Sequence, residues 1–144
     1  MPRYLLNEGL LQVPEGWQDK TVTALSFPAG AAKADASFAV TRDPAAAQSP
    51  TLASYVDRQL VDMAKGCPKF ELIERHDAAL GNAPAQSVSY TWRSPDGTIV
   101  QQWQTITRLQ SGTALVLTAT APRDKFPQFQ SAFEAMVGSF QFHY

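Results

Sequence analysis

The sequence predicts an α+β fold: a mainly antiparallel, twisted β-sheet with two helices packed on one of its faces. Three observations lead there. Strand-like runs follow one another across short turns such as Pro95-Asp96-Gly97 and Ser111-Gly112, and short turns join antiparallel strands. Only two stretches, 51–65 and 124–137, carry apolar residues at helical spacing. The elements come as strands, helix, strands, helix, and not in the strict alternation of a parallel α/β sheet.

Taken in order, residues 4–13 read as a short hairpin broken by the turn residues Asn7-Glu8-Gly9, and Pro14-Glu15-Gly16 makes a second turn before Trp17. Residues 21–27 form a strand, 28–35 a loop of small residues around Gly30, and 37–41 a strand ended by Asp43-Pro44. Residues 45–50 are a linker. Thr51 caps the first helix, whose apolar stripe is Leu52, Tyr55, Val56, Leu60 and Met63, with Gln59 inside the stripe. Gly66 and Pro68 stop it. Strands follow at 70–75, 85–93, 98–107 and 113–120, with Gly81-Asn82 turning between the first two. The last helix places Phe126, Phe129, Phe133, Met136 and Val137 on one side. Pro127 is tolerated there because a first-turn N–H has no intrahelical partner to lose. Gly138 ends the helix, and Phe140 and Phe142 are expected in an added edge strand.

The chain of 144 residues is expected to form a single domain, 1–144, long enough to bury roughly two-thirds of its unfolded surface without staples. A net charge of -1 and a pI near 6.1 leave no basic footprint for nucleic acid. Cys67 is the only cysteine, so no internal disulfide forms. Residues 1–11 carry Arg3, Asn7 and Glu8 and do not read as a signal peptide. No run reaches the roughly 20 apolar residues that span a bilayer. The expectation is a cytoplasmic protein that does not itself insert into membranes.

The most unusual stretch is 98–107. Its ten residues have strong strand preference and no charge, yet include Gln101, Gln102 and Gln104. Alternate residues of a strand face opposite sides. Sorted that way, Leu25, Phe27, Phe38, Val40, Val88, Tyr90, Trp92, Leu115, Leu117 and Ala119 read as one bulky face that takes the helices. Val22, Ala24, Ser26, Ser37, Ala39, Thr41, Ser87, Ser89, Thr91, Ala114, Val116 and Thr118 read as a small, hydroxylated face. Five strand stretches (21–27, 37–41, 86–92, 98–107, 113–120) contain no charged residue. A sheet face meeting water would carry Lys or Glu, so this face is expected to be covered. The cover could be a second protomer, the chain's own helix or another protein. Small, hydroxylated surfaces are also what lets one helix approach another inside a membrane, so such a face suits a transmembrane helix.

Sites for chemistry are sparse. His76 and His143 are the only histidines, and no second Cys or His gives metal-ligand spacing. No glycine-rich phosphate loop occurs. A Cys67–His76 nucleophile pair is conceivable but has no local signature, and the ordinary roles are a helix-end cysteine and a surface histidine. Trp17, Trp92 and Trp103 lack the basic interleaving of a base-stacking surface. We therefore expect no enzyme activity, no catalytic residues, no cofactor and no metal.

The opening Asn7-Glu8-Gly9-x-Leu11-x-Val13-Pro14-Glu15-Gly16-Trp17-x-Asp19-x-Thr21-Val22 resembles the DcrB-related family, whose members have the PsbP-like fold. Within it the chain most resembles the effector-associated (Eag) chaperones of bacterial type VI secretion, along its full length. The resemblance implies a homodimeric cytoplasmic chaperone. Its partners would be N-terminal transmembrane segments of a PAAR-type effector, shielded until the effector is loaded on its VgrG spike. Carried onto this sequence, the client surface would comprise Gln102, Gln104, Ser37, Ala39 and Thr41, with Val22 and Ala24 as apolar wall and Gln59 at its border. A domain with a radius of gyration of roughly 14–15 Å covers only one side of a 20-residue helix about 30 Å long, which also favours a dimer. Two other readings stand beside this one: a regulatory binding module acting on a soluble protein, and a small enzyme using Cys67 and His76.

Overall fold

The computed structural model describes residues 3–5, 8–17, 20–28 and 34–143. Along them run β1 Arg3–Leu5, β2 Leu10–Gln12, β3 Thr23–Pro28, β4 Ala34–Asp43, α1 Leu52–Gly66, β5 Glu71–Leu80, β6 Ala83–Arg93, β7 Ile99–Arg108, β8 Ala114–Pro122 and α2 Phe126–Gly138. β1 and β2 pair as the expected N-terminal hairpin. The other six strands form one sheet in the order β3-β4-β8-β7-β6-β5, and every neighbouring pair is antiparallel. The predicted α+β class with an antiparallel sheet is therefore what the chain adopts. The turn at Asn7 and the loop around Gly30 fall outside the described residues.

Local chemistry explains the boundaries. Thr51 caps α1 through a reciprocal box: its Oγ1 accepts from the Ser54 N–H at 3.0 Å, and Ser54 Oγ accepts from the Thr51 N–H at 3.1 Å. The expected linker after β4 is instead a 3-10 helix, Pro44–Gln48, capped by Asp43 Oδ1 on the Ala45 N–H at 3.0 Å. Arg108 holds it down by donating to the carbonyls of Ala46 and Ser49. Gly112 is required opposite it. Its φ is +89°, and a Cβ there would sit 2.8 Å from the Ala47 Cβ. Phe140 and Phe142 form no strand. Their rings pack edge to face at 4.8 Å, with Phe142 over Gly81, so the aromatic side chains are held by packing and not by a ladder.

The helices do not share a face, which corrects the expectation. Tyr55 and Val56 of α1 pack with Val88, Tyr90, Ile106 and Val116. Phe126, Phe129 and Phe133 of α2 pack with Phe38, Leu115, Leu117 and Ala119. Register shows why. Val88 and Tyr90 lie opposite Gln104 and Gln102 on β7, whereas Leu117 and Ala119 lie opposite Thr105 and Trp103. Directly paired residues share a side, so the bulky side chains of β6 and those of β8 point in opposite directions. The sheet has its large residues on the α1 side at one end and on the α2 side at the other. Parity within each strand was legible, but the phase between strands depends on register, and one residue of slip inverts a strand.

Candidate functional site

Where the bulky residues change sides, a small-residue surface is left on the α1 side of β3, β4, β8 and β7. Two cross-strand rows make it. One runs Ser26, Ser37, Thr120, Gln102 and ends at Tyr90; the other runs Ala24, Ala39, Thr118, Gln104 and ends at Val88. None of these residues is charged. The β4, β8 and β7 members are half-buried and those of β3 are exposed. A third row, Thr41, Val116 and Ile106, runs under the α1 cluster. Helix α1 therefore borders this floor on one side, and β3 is its open margin.

The amides of the floor are oriented. Gln102 Oε1 accepts from Trp92 Nε1 at 3.0 Å, and its Nε2 donates to Thr120 Oγ1 at 3.0 Å. Gln104 Nε2 donates to Thr118 Oγ1 at 3.4 Å. Each amide nitrogen keeps a second N–H and each carbonyl oxygen a second lone pair, so the row still has bonding capacity for something laid on it. Asp43 lies outside the two rows and accepts from the Tyr55 hydroxyl at 2.7 Å. Burial, together with that carboxylate, pushes the Tyr55 hydroxyl well above its usual range. Burial does the same to Tyr90 under α1, with a smaller contribution from Cys67. Arg75, on β5 opposite Val88 and so beyond the two rows, donates to Asp57 and the Ala53 carbonyl of α1 and to Gln86.

Of the predicted site residues, Ala24, Ser37, Ala39, Thr41, Gln102 and Gln104 come together on this one side. Val22 immediately precedes β3 and is exposed. Gln59 is half-buried on α1, the bordering helix. Ser26, Thr118, Thr120 and Trp92 belong to the same surface and were missed as site residues. Ser26, Thr118 and Thr120 share the small-face parity, but only the β7–β8 register sets Thr118 and Thr120 beside the glutamines, and parity alone places Trp92 with the bulky residues. Ser87 and Ser89, grouped with the small face, lie on the α2 side instead. Ser87 accepts there from Trp103 Nε1 at 2.7 Å. Gln101 also faces that side and lines a cleft of about 380 Å³ with Trp103, Glu74, His76 and Glu134.

Cys67 and His76 are not brought together. Cys67 caps the C-terminus of α1, and His76 pairs with Ser87 on the opposite side of the sheet, 3.5 Å from Glu74. Among the described residues no group of three or more His, Cys, Asp or Glu side chains is placed to hold a metal ion. Among them, too, no helix is long and apolar enough to cross a membrane.

The model of the DcrB family matches residues 8–139. The chain belongs to the DcrB family. This DcrB-family chain is 29% identical over 140 residues to a Pseudomonas aeruginosa protein named Effector EagT6, covering 95% of this chain and 96% of that one. The crystal structure of PA94, a P. aeruginosa protein of unknown function, superposes with a TM-score of 0.84 at 27% identity, covering 100% of this chain and 98% of that one. The PsbP protein of Synechocystis, CyanoP, matches at a TM-score of 0.56 and 15% identity over 99% and 92% of the two chains, a likeness of fold. The DcrB chain thus has the PsbP-like fold its opening motif implied. Neither EagT6 nor PA94 is named as an enzyme.

Proposed function

We propose that this protein is a cytoplasmic chaperone that lays its uncharged sheet floor against N-terminal transmembrane segments of a type VI secretion effector of the PAAR type. It keeps the effector soluble and stable for loading on the VgrG spike, and it does so as a homodimer. The observation that carries the reading is the pair of uncharged rows from β3 to β7. Four strands about 4.8 Å apart make a floor on the order of 15 Å wide. An α-helix with its side chains is about 10–12 Å across, so one helix fits. Ala24 and Ala39 let it approach closely, as small residues do between helices in a bilayer. The hydroxyls and spare amide groups bond whatever polar atoms the helix presents. The similarity to a protein named Effector EagT6 supports the same direction.

Co-expression with the N-terminal region of the partner effector, followed by pull-down of the tagged chain, tests the reading. A complex is expected, together with loss of effector solubility when this protein is absent. No complex and no loss of solubility would sink it. A second reading, a regulatory binding module acting on a soluble protein, is favoured by PA94, which has been described as a candidate regulator. Capture of a partner with no apolar helical segment would select that reading instead.

A further inference from the structure

On the α2 side the buried face of the helix packs with Phe38, Leu115, Leu117 and Ala119 of β4 and β8. Toward β5 the same side of the sheet carries the cleft of about 380 Å³. Its helix wall is Phe126, Gln130 and Glu134, spaced i, i+4 and i+8 and so about 12 Å long. Trp103 and Ser87 are in its floor, and Ile73, Glu74 and His76 of β5 make the outer wall.

A bulge sets the charge of this cleft. Leu72 pairs with Tyr90 and Glu74 with Ser89, so Ile73 is an extra residue on β5. Without it, strict alternation from Glu71 would turn Arg75 toward α2 and Glu74 toward α1. With it, Glu74 and His76 face α2, and Arg75 goes to the α1 side, where it meets Asp57. The cleft therefore carries the carboxylates of Glu74 and Glu134, and among the described residues no lysine or arginine lines it. His76 Nε2 lies 3.5 Å from one oxygen of Glu74, and Glu134 accepts from Gln130 at 3.1 Å, so both carboxylates keep acceptor capacity.

Between the two acids stands an oriented indole. Trp103 Nε1 donates to Ser87 at 2.7 Å. Ser87 is 4% exposed, and among the described residues its own hydroxyl proton has no acceptor. Charges that only guard a margin strand would need no acid on the facing helix, no oriented indole and no buried donor left over. We propose that the cleft binds an arginine side chain carried by an extended segment of a partner protein. A guanidinium is planar, stacks on an indole face and donates in several directions at once, here to Glu74 and Glu134. The Ser87 hydroxyl donates to a main-chain carbonyl of the segment. A wall about 12 Å long takes three or four extended residues at roughly 3.3 Å each. The cleft faces away from the uncharged floor, so a segment binds here whether or not the floor holds a client.

An NMR titration of the full, isotope-labelled chain tests this. The probe is a capped peptide of glycine and serine around a single arginine. The Trp103 indole N–H is expected to shift and saturate, while that of Trp92, on the α1 side, stays in place. The same peptide with citrulline for arginine keeps the shape and loses the charge, and should bind at least about tenfold more weakly. Glu74→Gln and Glu134→Gln change exposed side chains, so the fold is expected to persist. Each should weaken the arginine peptide by about threefold or more, and the two together by at least about tenfold. Asp62→Asn removes the same charge from an exposed position on α1 and should leave the affinity unchanged. No saturable shift at Trp103 overturns the inference. So does a citrulline peptide that binds as tightly, an equal shift at Trp92, or a loss with Asp62→Asn as large as with Glu74→Gln.

Discussion

Replacing Gln102 by glutamate puts one negative charge in the middle of the uncharged floor and changes little else in size. In the free protein the substitution is mild. Trp92 Nε1 still finds an acceptor, and the Thr120 hydroxyl, which now accepts from the amide, can turn to donate to the carboxylate. A loss of one neutral hydrogen bond is worth about 1 kcal/mol, and water reaches the half-buried side chain. Covering the floor with an apolar helix removes that water. The carboxylate then keeps Trp92 and one hydroxyl and has no cation in its row. An uncompensated buried charge costs about 3–5 kcal/mol. At 1.4 kcal/mol per tenfold, client affinity should fall at least about a hundredfold. The measurement is a binding titration of the effector region against wild type and Gln102→Glu, with a thermal melt of each. Gln101→Glu, one residue away but on the α2 side, serves as the control and should bind as wild type does. A folded Gln102→Glu with unchanged affinity would refute the assignment of the floor as the client surface.

Other expectations concern the frame around the floor. Gly112→Ala should destabilise the chain by about 1–3 kcal/mol, because φ is +89° and the new methyl meets Ala47; a melting temperature lowered by roughly 3 °C or more would show it. Thr51→Ala removes the box that starts α1 and should cost about 1 kcal/mol in denaturant unfolding, while Thr51→Ser keeps the wild-type value within a few tenths. Stability should fall in alkali. Tyr55 and Tyr90 are both held above the ordinary tyrosine value of 10.0, so their contribution is complete below about pH 10 and is lost as pH rises past it, when the unfolded chain ionises first. Tyr55→Phe should flatten part of that loss when unfolding free energies are compared at pH 8 and pH 11.

The sequence by itself determined much of this protein. Alternation fixed which residues of each strand oppose one another. Thr51, Gly66 and Pro68 fixed the first helix, and turn residues such as Gly97 and Gly112 fixed the antiparallel order. The absence of charge from five strands marked a face with unusual business, and Gln102 and Gln104 were already assigned to it. These are short-range properties, written in neighbours a few residues apart. What the tertiary structure decided was phase. Whether Val88 lies beside Gln104 or beside Trp103 depends on the β6–β7 register, which no single strand carries. The β6–β7 register put Ser87 and Ser89 on the side of Trp103, and the β7–β8 register gave Gln102 and Gln104 their partners in Thr120 and Thr118; together they sent the two helices to opposite sides. Strand order, settled by packing across the whole sheet and not by any stretch of sequence, placed the uncharged β3 at the end of the floor among the described residues.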